Sequence, residues 1–327
     1  MGTLLVGKQA FLQSGDEHRV EFQTLGGMHG HQLQRVVAGT GLVLAGLQRG
    51  VGEKTIQFGR RLGWNRRIRR CFGRSRKSLQ QALDLGVIDR AGINPAHELS
   101  DADLVLLATP VGQMPEIMAR IVPYLGPETV VTDGGSTKGG VVAAARAAFG
   151  ERIGQFVPAH PIAGAENSGA AAARADLYRE RKVVLTPLPE NSVLNVAKVR
   201  SAWEWCGAQI YELTPAEHDR VFAAVSHLPH LLSFALVHDL AVRENKELFF
   251  TFAASGFRDF TRIAASHPEM WRDICLANKD ALLLELDSYR AQLDELHQAL
   301  AAGDGRRLEE IFDTARTARR DWAEGKR

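Results

Sequence analysis

Four patches of this 327-residue chain hold residue types that can do chemistry. His160-Pro161-Ile162-Ala163-Gly164, followed by Glu166-Asn167-Ser168-Gly169, sets an imidazole at the end of an apolar run. Histidine titrates near neutrality, so His160 could act as a general base, or it could merely bond a loop carbonyl. Ser226-His227-Leu228-Pro229-His230 puts two imidazoles about one helical turn apart. Two ligands with no nearby carboxylate fall short of a metal site, so no metal is expected. A polar cleft wall, opened by carbonyls that Pro229 frees, is the better reading. Gly256-Phe257-Arg258-Asp259-Phe260-Thr261-Arg262 offers guanidinium forks to a carboxylate, or else a surface pair with Asp259. Asp133-Gly134-Gly135-Ser136-Thr137-Lys138 presents backbone donors at a helix start, suited to an anion or a cofactor ribose.

The elements that must position these residues follow from hydrophobic spacing. Apolar runs predict strands at 103–109, 129–133, 156–160, 182–186 and 209–213. Helical spacing fills 114–124 and 138–149, and a third helix starts at its cap Ser192 and ends at Gly207. Strands separated by helices of about 10–15 residues indicate a doubly wound α/β sheet, whose ligands lie beyond the carboxyl ends of its strands. Thr109, Pro110, Asp133, Ser136 and His160 are all expected at such ends. After Leu213 the pattern is helical throughout. Thr214-Pro215-Ala216-Glu217 is a capping box. Pro229 predicts a kink or restart near Ser226, and further helices are expected over 269–302 and 305–322. Residues 1–32 read as an atypical segment, 33–213 as a dinucleotide-binding domain with an irregular first βα unit, and 214–327 as a helical domain. The cleft between the two domains is the expected site.

Composition narrows the class. The chain has 40 Lys+Arg against 38 Asp+Glu, and this near-zero balance argues against a nucleic-acid partner. No uninterrupted apolar run reaches about 18 residues, so neither a membrane-spanning helix nor a membrane partner is expected. The first thirty residues lack a secretory pattern. Three well-separated cysteines, Cys71, Cys206 and Cys275, fit a reducing compartment, so a cytoplasmic location is expected.

At the four patches the sequence resembles the prephenate and arogenate dehydrogenases of tyrosine biosynthesis. The strings that carry the resemblance are ATPV at 108–111, DGGSTK at 133–138, HPIAGAENSG at 160–169, EHDR at 217–220, SHLPH at 226–230 and GFRDFTRIA at 256–264. Their order and spacing, more than any single string, make it specific. The resemblance implies oxidative decarboxylation of prephenate or arogenate with NAD or NADP. His160 would take the proton of the ring hydroxyl and Ser136 would orient that hydroxyl. Arg262 would bind the ring carboxylate, while His230, His227 and Trp271 would line the pocket. It also implies dimerisation through the helical domain. A β-hydroxyacid dehydrogenase, with Lys279 as its lysine, is a weaker alternative because the HPIAG and SHLPH strings favour the first family. A ligand-binding protein without turnover is another.

The N-terminal 72 residues depart from that family. They hold 11 Lys+Arg against 4 Asp+Glu, 13 glycines and no proline. Val36-Val37-Ala38-Gly39-Thr40-Gly41 starts like a dinucleotide fingerprint of strand, glycine turn and helix, with Gly39 and Gly41 as cofactor residues, but Leu44 stands at the third glycine. The composition suggests that part of this segment is translated out of frame. At the expected end of the second strand, Arg74 and Ser75 stand where an acid would select NAD, which leans toward NADP. The Arg66-Arg67 and Arg69-Arg70 cluster reads as a solvated basic face.

Overall fold

The computed structural model describes residues 9–11, 21–23, 42–46 and 69–325, except 73–75, 93, 164–169 and 175. In chain order, β1 (Gln9–Phe11) and β2 (Glu21–Gln23) form a separate antiparallel pair. Then come β3 (Leu42–Gly46), β4 (Arg69–Phe72), α1 (Arg76–Asp84), β5 (Arg90–Gly92), α2 (Pro95–Leu99), β6 (Leu104–Ala108), α3 (Met114–Ile121), β7 (Val130–Asp133) and α4 (Gly139–Phe149). Next are β8 (Phe156–Val157), β9 (Ala159–Pro161), β10 (Lys182–Leu185), α5 (Val193–Trp205) and β11 (Gln209–Glu212). Helices follow to the end: α6 (Pro215–Phe222), α7 (Leu228–Ala241), α8 (Lys246–Phe252), α9 (Ser255–Thr261), α10 (Pro268–Ala277), α11 (Lys279–Ala302) and α12 (Gly305–Ala323).

The main sheet has the order β5-β4-β3-β6-β7-β8. Strands β6 and β7 are buried on both faces, because successive side chains point to opposite sides. Leu104, Leu106 and Val130 face one core with Leu79 and Trp203, whereas Val105, Leu107 and Val131 face the other with Met118 and Phe149. The doubly wound plan therefore holds, with β4–β5 and β6–β7–β8 parallel.

Strand β3 is the exception. It lies between β4 and β6 but runs antiparallel to both, with Leu42 opposite Ala108 and Gly46 opposite Arg69 and Leu104. The expected fingerprint order is thus overturned: the residues after Gly41 form a strand, where a phosphate-binding turn would lead into a helix. Gly39, Gly41, Arg74 and Ser75 lie outside the described residues. Arg70 corrects the solvated-face reading, since it is buried and bonds both carboxylate oxygens of Asp101, at 2.5 and 3.0 Å.

Three boundaries differ from expectation, each for a local reason. The predicted 156–160 strand splits at Pro158, which has no N–H to continue the ladder. The chain passes there from the main sheet into a second one of order β11-β10-β9, so His160 sits mid-strand opposite Val184, not at a parallel strand's end. The 269–302 helix breaks at Asn278, whose backbone (φ −116°, ψ 31°) leaves the helical region. Between α6 and α7, Ala223–His227 is a single π-helical stretch. Pro229 cannot donate to the Val225 carbonyl and its ring would collide with it, so the helix widens where a kink was expected.

By length and composition alone, at mean hydropathy 1.4, the run Pro215–Ala241 could cross a membrane, a test that apolar core helices also pass, and a π-helical stretch interrupts it. Within it, His218 and Asp219 are bonded to the sheet domain.

Candidate active site

The site is built where α6, the π-stretch and α7 dock against the carboxyl end of β7. Asp133 closes that strand and is fully buried. Its Oδ2 accepts from Gly135 N at 2.8 Å and Lys138 Nζ at 2.5 Å, and its Oδ1 accepts from Ala159 N at 3.0 Å. Lys138, also fully buried, donates to the Ala159 carbonyl at 2.8 Å. Burial pulls the Lys138 pKa down against the pull of the Asp133 and Asp219 carboxylates. The pair ties β7 to β9 and fixes the backbone of Ala159, immediately before His160. Asp133 was expected at a cofactor ribose. Its oxygens are instead spent inside the protein.

Asp219, from the capping box helix α6, occupies the start of α4. Its Oδ1 and Oδ2 accept from the N–H groups of Lys138 and Gly139, each at 2.7 Å. The helix-start donors expected to serve an anion are therefore taken by a carboxylate from the other domain. Burial alone would raise the Asp219 pKa. The bonds from His218, Gly139 N and Lys138 N outweigh it and hold the carboxyl below its ordinary range.

From Asp219 a chain of rings leads to His160. His218 Nδ1 lies 2.8 Å from Asp219 Oδ1, and His218 Nε2 lies 2.8 Å from His160 Nδ1. Phe222 packs edge-on to His160, with centroids 4.9 Å apart. His160 is buried, and that burial, with the neighbouring His218, Lys138 and His227, pushes its pKa well below the usual histidine value. A base must be neutral to work, so this environment keeps His160 competent.

On the other side of Asp219, Asn278 donates to the Asp219 carbonyl at 2.8 Å and meets His227 Nδ1 at 3.0 Å. A carbonyl only accepts, so that nitrogen is the Asn278 donor and His227 Nδ1 accepts from it. Burial lowers the His227 pKa to about 4. At 1% exposure His227 is an internal strut bonded to Asn278, which corrects its expected place among the pocket-lining residues. His230 is half-buried; its Nδ1 donates to the Ser226 carbonyl at 2.9 Å, which leaves Nε2 as the acceptor. Its ring stacks on Trp271, centroids 3.6 Å apart and 19° between planes. Trp271 is buried in the core and acts as the support of His230. Arg262, exposed in the 3₁₀ turn after α9, lies near enough for its charge to lower the His230 pKa, although burial is the larger cause. Ser136 is half-buried in the turn between β7 and α4.

The structure thus links His160 by hydrogen bonds through His218, Asp219 and Asn278 to His227, sets His227 and His230 against Trp271, and places the Arg262 charge near His230. Thr109, at the end of β6, is buried with its hydroxyl unpartnered among the described residues, and the half-buried Pro110 follows it. Gly135 must be glycine, since a Cβ there would come within 2.9 Å of Asp133 and Val111. Sequence reasoning missed His218, Asp219 and Asn278 as site residues. The EHDR string is visible as part of the family resemblance, but only Glu217 has a readable role, in the capping box. A cavity of about 490 Å³ at the amino ends of β7 and β8, lined by Arg152 and Gln155 among others, holds none of these side chains. Cys206, its thiol pushed up to about 12 by burial, is no reactive nucleophile.

A dinucleotide-type sheet docked on an all-helical domain, with a neutral histidine at their junction, defines a two-domain dehydrogenase class. Residues 60–212 match the family model for the prephenate dehydrogenase nucleotide-binding domain, and residues 214–314 that for its dimerization domain. The chain is 36% identical over 241 residues to the cyclohexadienyl dehydrogenase of Zymomonas mobilis, covering 73% of this chain and 81% of that one. It is 38% identical to the prephenate dehydrogenase of Bacillus subtilis, covering 73% and 64% respectively. Among solved structures, the prephenate dehydrogenase of Aquifex aeolicus, in complex with hydroxyphenyl propionate and NAD+, superposes with TM-score 0.73 at 34% identity, over 80% of this chain and 91% of that one. The chain belongs to the prephenate dehydrogenase family.

Proposed function

We propose that this chain is a prephenate dehydrogenase, oxidising and decarboxylating prephenate to 4-hydroxyphenylpyruvate. The observation that carries the reading is His160, buried, neutral and bonded through His218 to Asp219 at the junction of the sheet and helical domains. A bound nicotinamide supplies the hydride acceptor. Thr109 and Pro110 at the end of β6, with the Gly134-Gly135 turn, would hold its reactive end, and the unpartnered Thr109 hydroxyl fits that use. His160 holds the proton of the ring hydroxyl while the carbon bearing it loses hydride. Loss of carbon dioxide leaves its electron pair in the ring, which becomes aromatic, and the phenolate oxygen recovers the proton from His160. Ser136 orients the hydroxyl, and Arg262 pairs with the ring carboxylate. His230, with its Nε2 lone pair fixed, lines the pocket.

Residues 33–213 and 214–327 are the two working domains, and the chain pairs with a second copy. Exposed Leu248, Phe252, Phe260, Leu284 and Phe312 on the helical domain supply apolar surface for that pairing. A cytoplasmic location follows from the same reading. The reversed β3 favours a second reading, in which substrate binds but cofactor binds too weakly for turnover. Purified protein given prephenate or arogenate with NAD or NADP, followed by nicotinamide absorbance, separates them. Turnover with prephenate is expected. Turnover with arogenate alone would move the chain to the arogenate class, and calorimetric substrate binding without turnover would establish the second reading.

A further inference from the structure

The bond between His160 Nδ1 and His218 Nε2 needs one donor and one acceptor, and the surroundings decide which is which. Asp219 already accepts from two backbone N–H groups and is a carboxylate, so it accepts from His218 as well. His218 Nδ1 therefore carries the hydrogen. His218 is fully buried, so in its neutral form Nε2 has only a lone pair. The hydrogen between the two rings must then sit on His160 Nδ1, which leaves His160 Nε2 free as the acceptor.

We propose that Asp219 and His218 are positioning residues that hold His160 in the tautomer whose Nε2 faces the reacting hydroxyl. Asp219 also ties this tautomer to domain docking, because the oxygen that orients His218 also accepts from Lys138 N at the start of α4. The same carboxylate therefore senses whether the helical domain is seated. When His160 takes up a proton, the charge lies along a line of His160, His218 and Asp219. Lys138, the nearest opposing cation, is neutralised by Asp133. His227, on the far side of Asp219, is kept apart by its bond to Asn278.

The inference rests on His160 being the base, and its test separates the two. In ¹⁵N-histidine-labelled protein, with His160→Asn used for assignment, the His160 resonances should show hydrogen on Nδ1 and a lone pair on Nε2. His218→Gln keeps an acceptor oxygen, whereas His218→Met, of similar length, does not. The Met variant should lose turnover by at least about tenfold more than the Gln variant, with substrate KM little changed, as when a general-base histidine loses the partner that fixes its tautomer. Its His160 should shift toward hydrogen on Nε2. Hydrogen on Nε2 in the parent protein, or equal tautomers and turnover in the two variants, would overturn the proposal. Should the Met variant not fold, the parent spectrum alone decides. The spectrum needs no substrate, so absence of turnover with any cyclohexadienyl acid would count against the proposed function and leave this inference standing.

Discussion

Acidification should unfold this protein partly through His227. Its pKa falls from the ordinary 6.5 to about 4 in the folded state, while the unfolded chain keeps the ordinary value. Between those values the unfolded state binds more protons than the native one, so stability falls as pH falls, by up to about 1.4 kcal/mol per pH unit for one full proton. Taken from pH 7 to pH 4, the loss is about 3 kcal/mol, a sizeable part of a typical domain's stability of about 5–15 kcal/mol. The physical origin is explicit: protonating Nδ1 forfeits the bond from Asn278 and puts a cation into a buried site beside His218 and His230, which the Asp219 charge offsets in part. Urea unfolding, followed by circular dichroism at fixed protein concentration between pH 7 and 4, measures the slope in the parent and in His227→Gln. The variant is expected to be less stable at pH 7 but to show a shallower slope below pH 6.5, its curve losing about 3 kcal/mol less over the range. Comparing slopes removes the contributions of His160 and His218, which are also buried. Parallel curves would show that His227 is hydrated or already charged in the native state, and the network drawn around Asn278 would fall with it.

His160→Asn should lower kcat by about 10²- to 10⁴-fold, the usual worth of a positioned base, with cofactor affinity unchanged in a fluorescence titration. Because burial depresses the His160 pKa, the acid limb of the kcat/KM profile should fall well below pH 6.5, and a limb at or above that value would contradict the site. Arg262→Gln should weaken substrate binding by about 2 kcal/mol, or roughly 30-fold in calorimetry, the low end for losing a charged partner because the guanidinium is exposed in the free protein. Unchanged affinity would remove Arg262 from the carboxylate site. Replacing residues 1–68 with a strand, glycine turn and helix that run parallel to β6 should tighten NAD or NADP binding by about tenfold or more, since a helix start at the pyrophosphate is worth up to about 2 kcal/mol. Equal affinity before and after would refute that account.

Much of this was legible from local signals. Thr214 and Glu217 announced the start of α6, and their reciprocal bonds are present. The Leu104–Ala108 run was readable as a doubly buried strand, and Pro229 marked the helix disturbance that sets His227 apart from His230. His160 stood out because an imidazole followed an apolar run. The supporting network did not, because its bonds span long separations. Asp219 meets Lys138 and Gly139 some 80 residues away, and Asn278 meets Asp219 across 59. Within its own helix Asp219 is one more acid, a turn in from the cap, and nothing in the 3.6-residue period says that this face meets the start of another helix. Asn278 gave a usable hint: a helix-disfavouring residue between two apolar helical stretches, where buried amide hydrogen bonds repay the break.

The direction of β3 shows why fold and cofactor chemistry can separate in one chain. Strand β6 is buried on both faces, so its neighbouring slot must be filled, and a backbone ladder can be completed there by a strand of either direction. What distinguishes the directions is the edge at which the chain leaves. A parallel strand would deliver it to the carboxyl edge, beside Thr109 and Asp133, where the next turn could cradle a pyrophosphate. β3 enters at that edge, with Leu42 opposite Ala108, and departs at Gly46 beside Leu104 and Arg69. Hence the half of the site that depends on β6, β7, β9 and the helical domain, which holds His160, Lys138 and Asp219, is complete without the first strand. The half that depends on the turn after that strand is where the chain runs the other way. Substrate recognition and base chemistry are insulated from the N-terminal segment, and cofactor affinity is the property that should register its sequence.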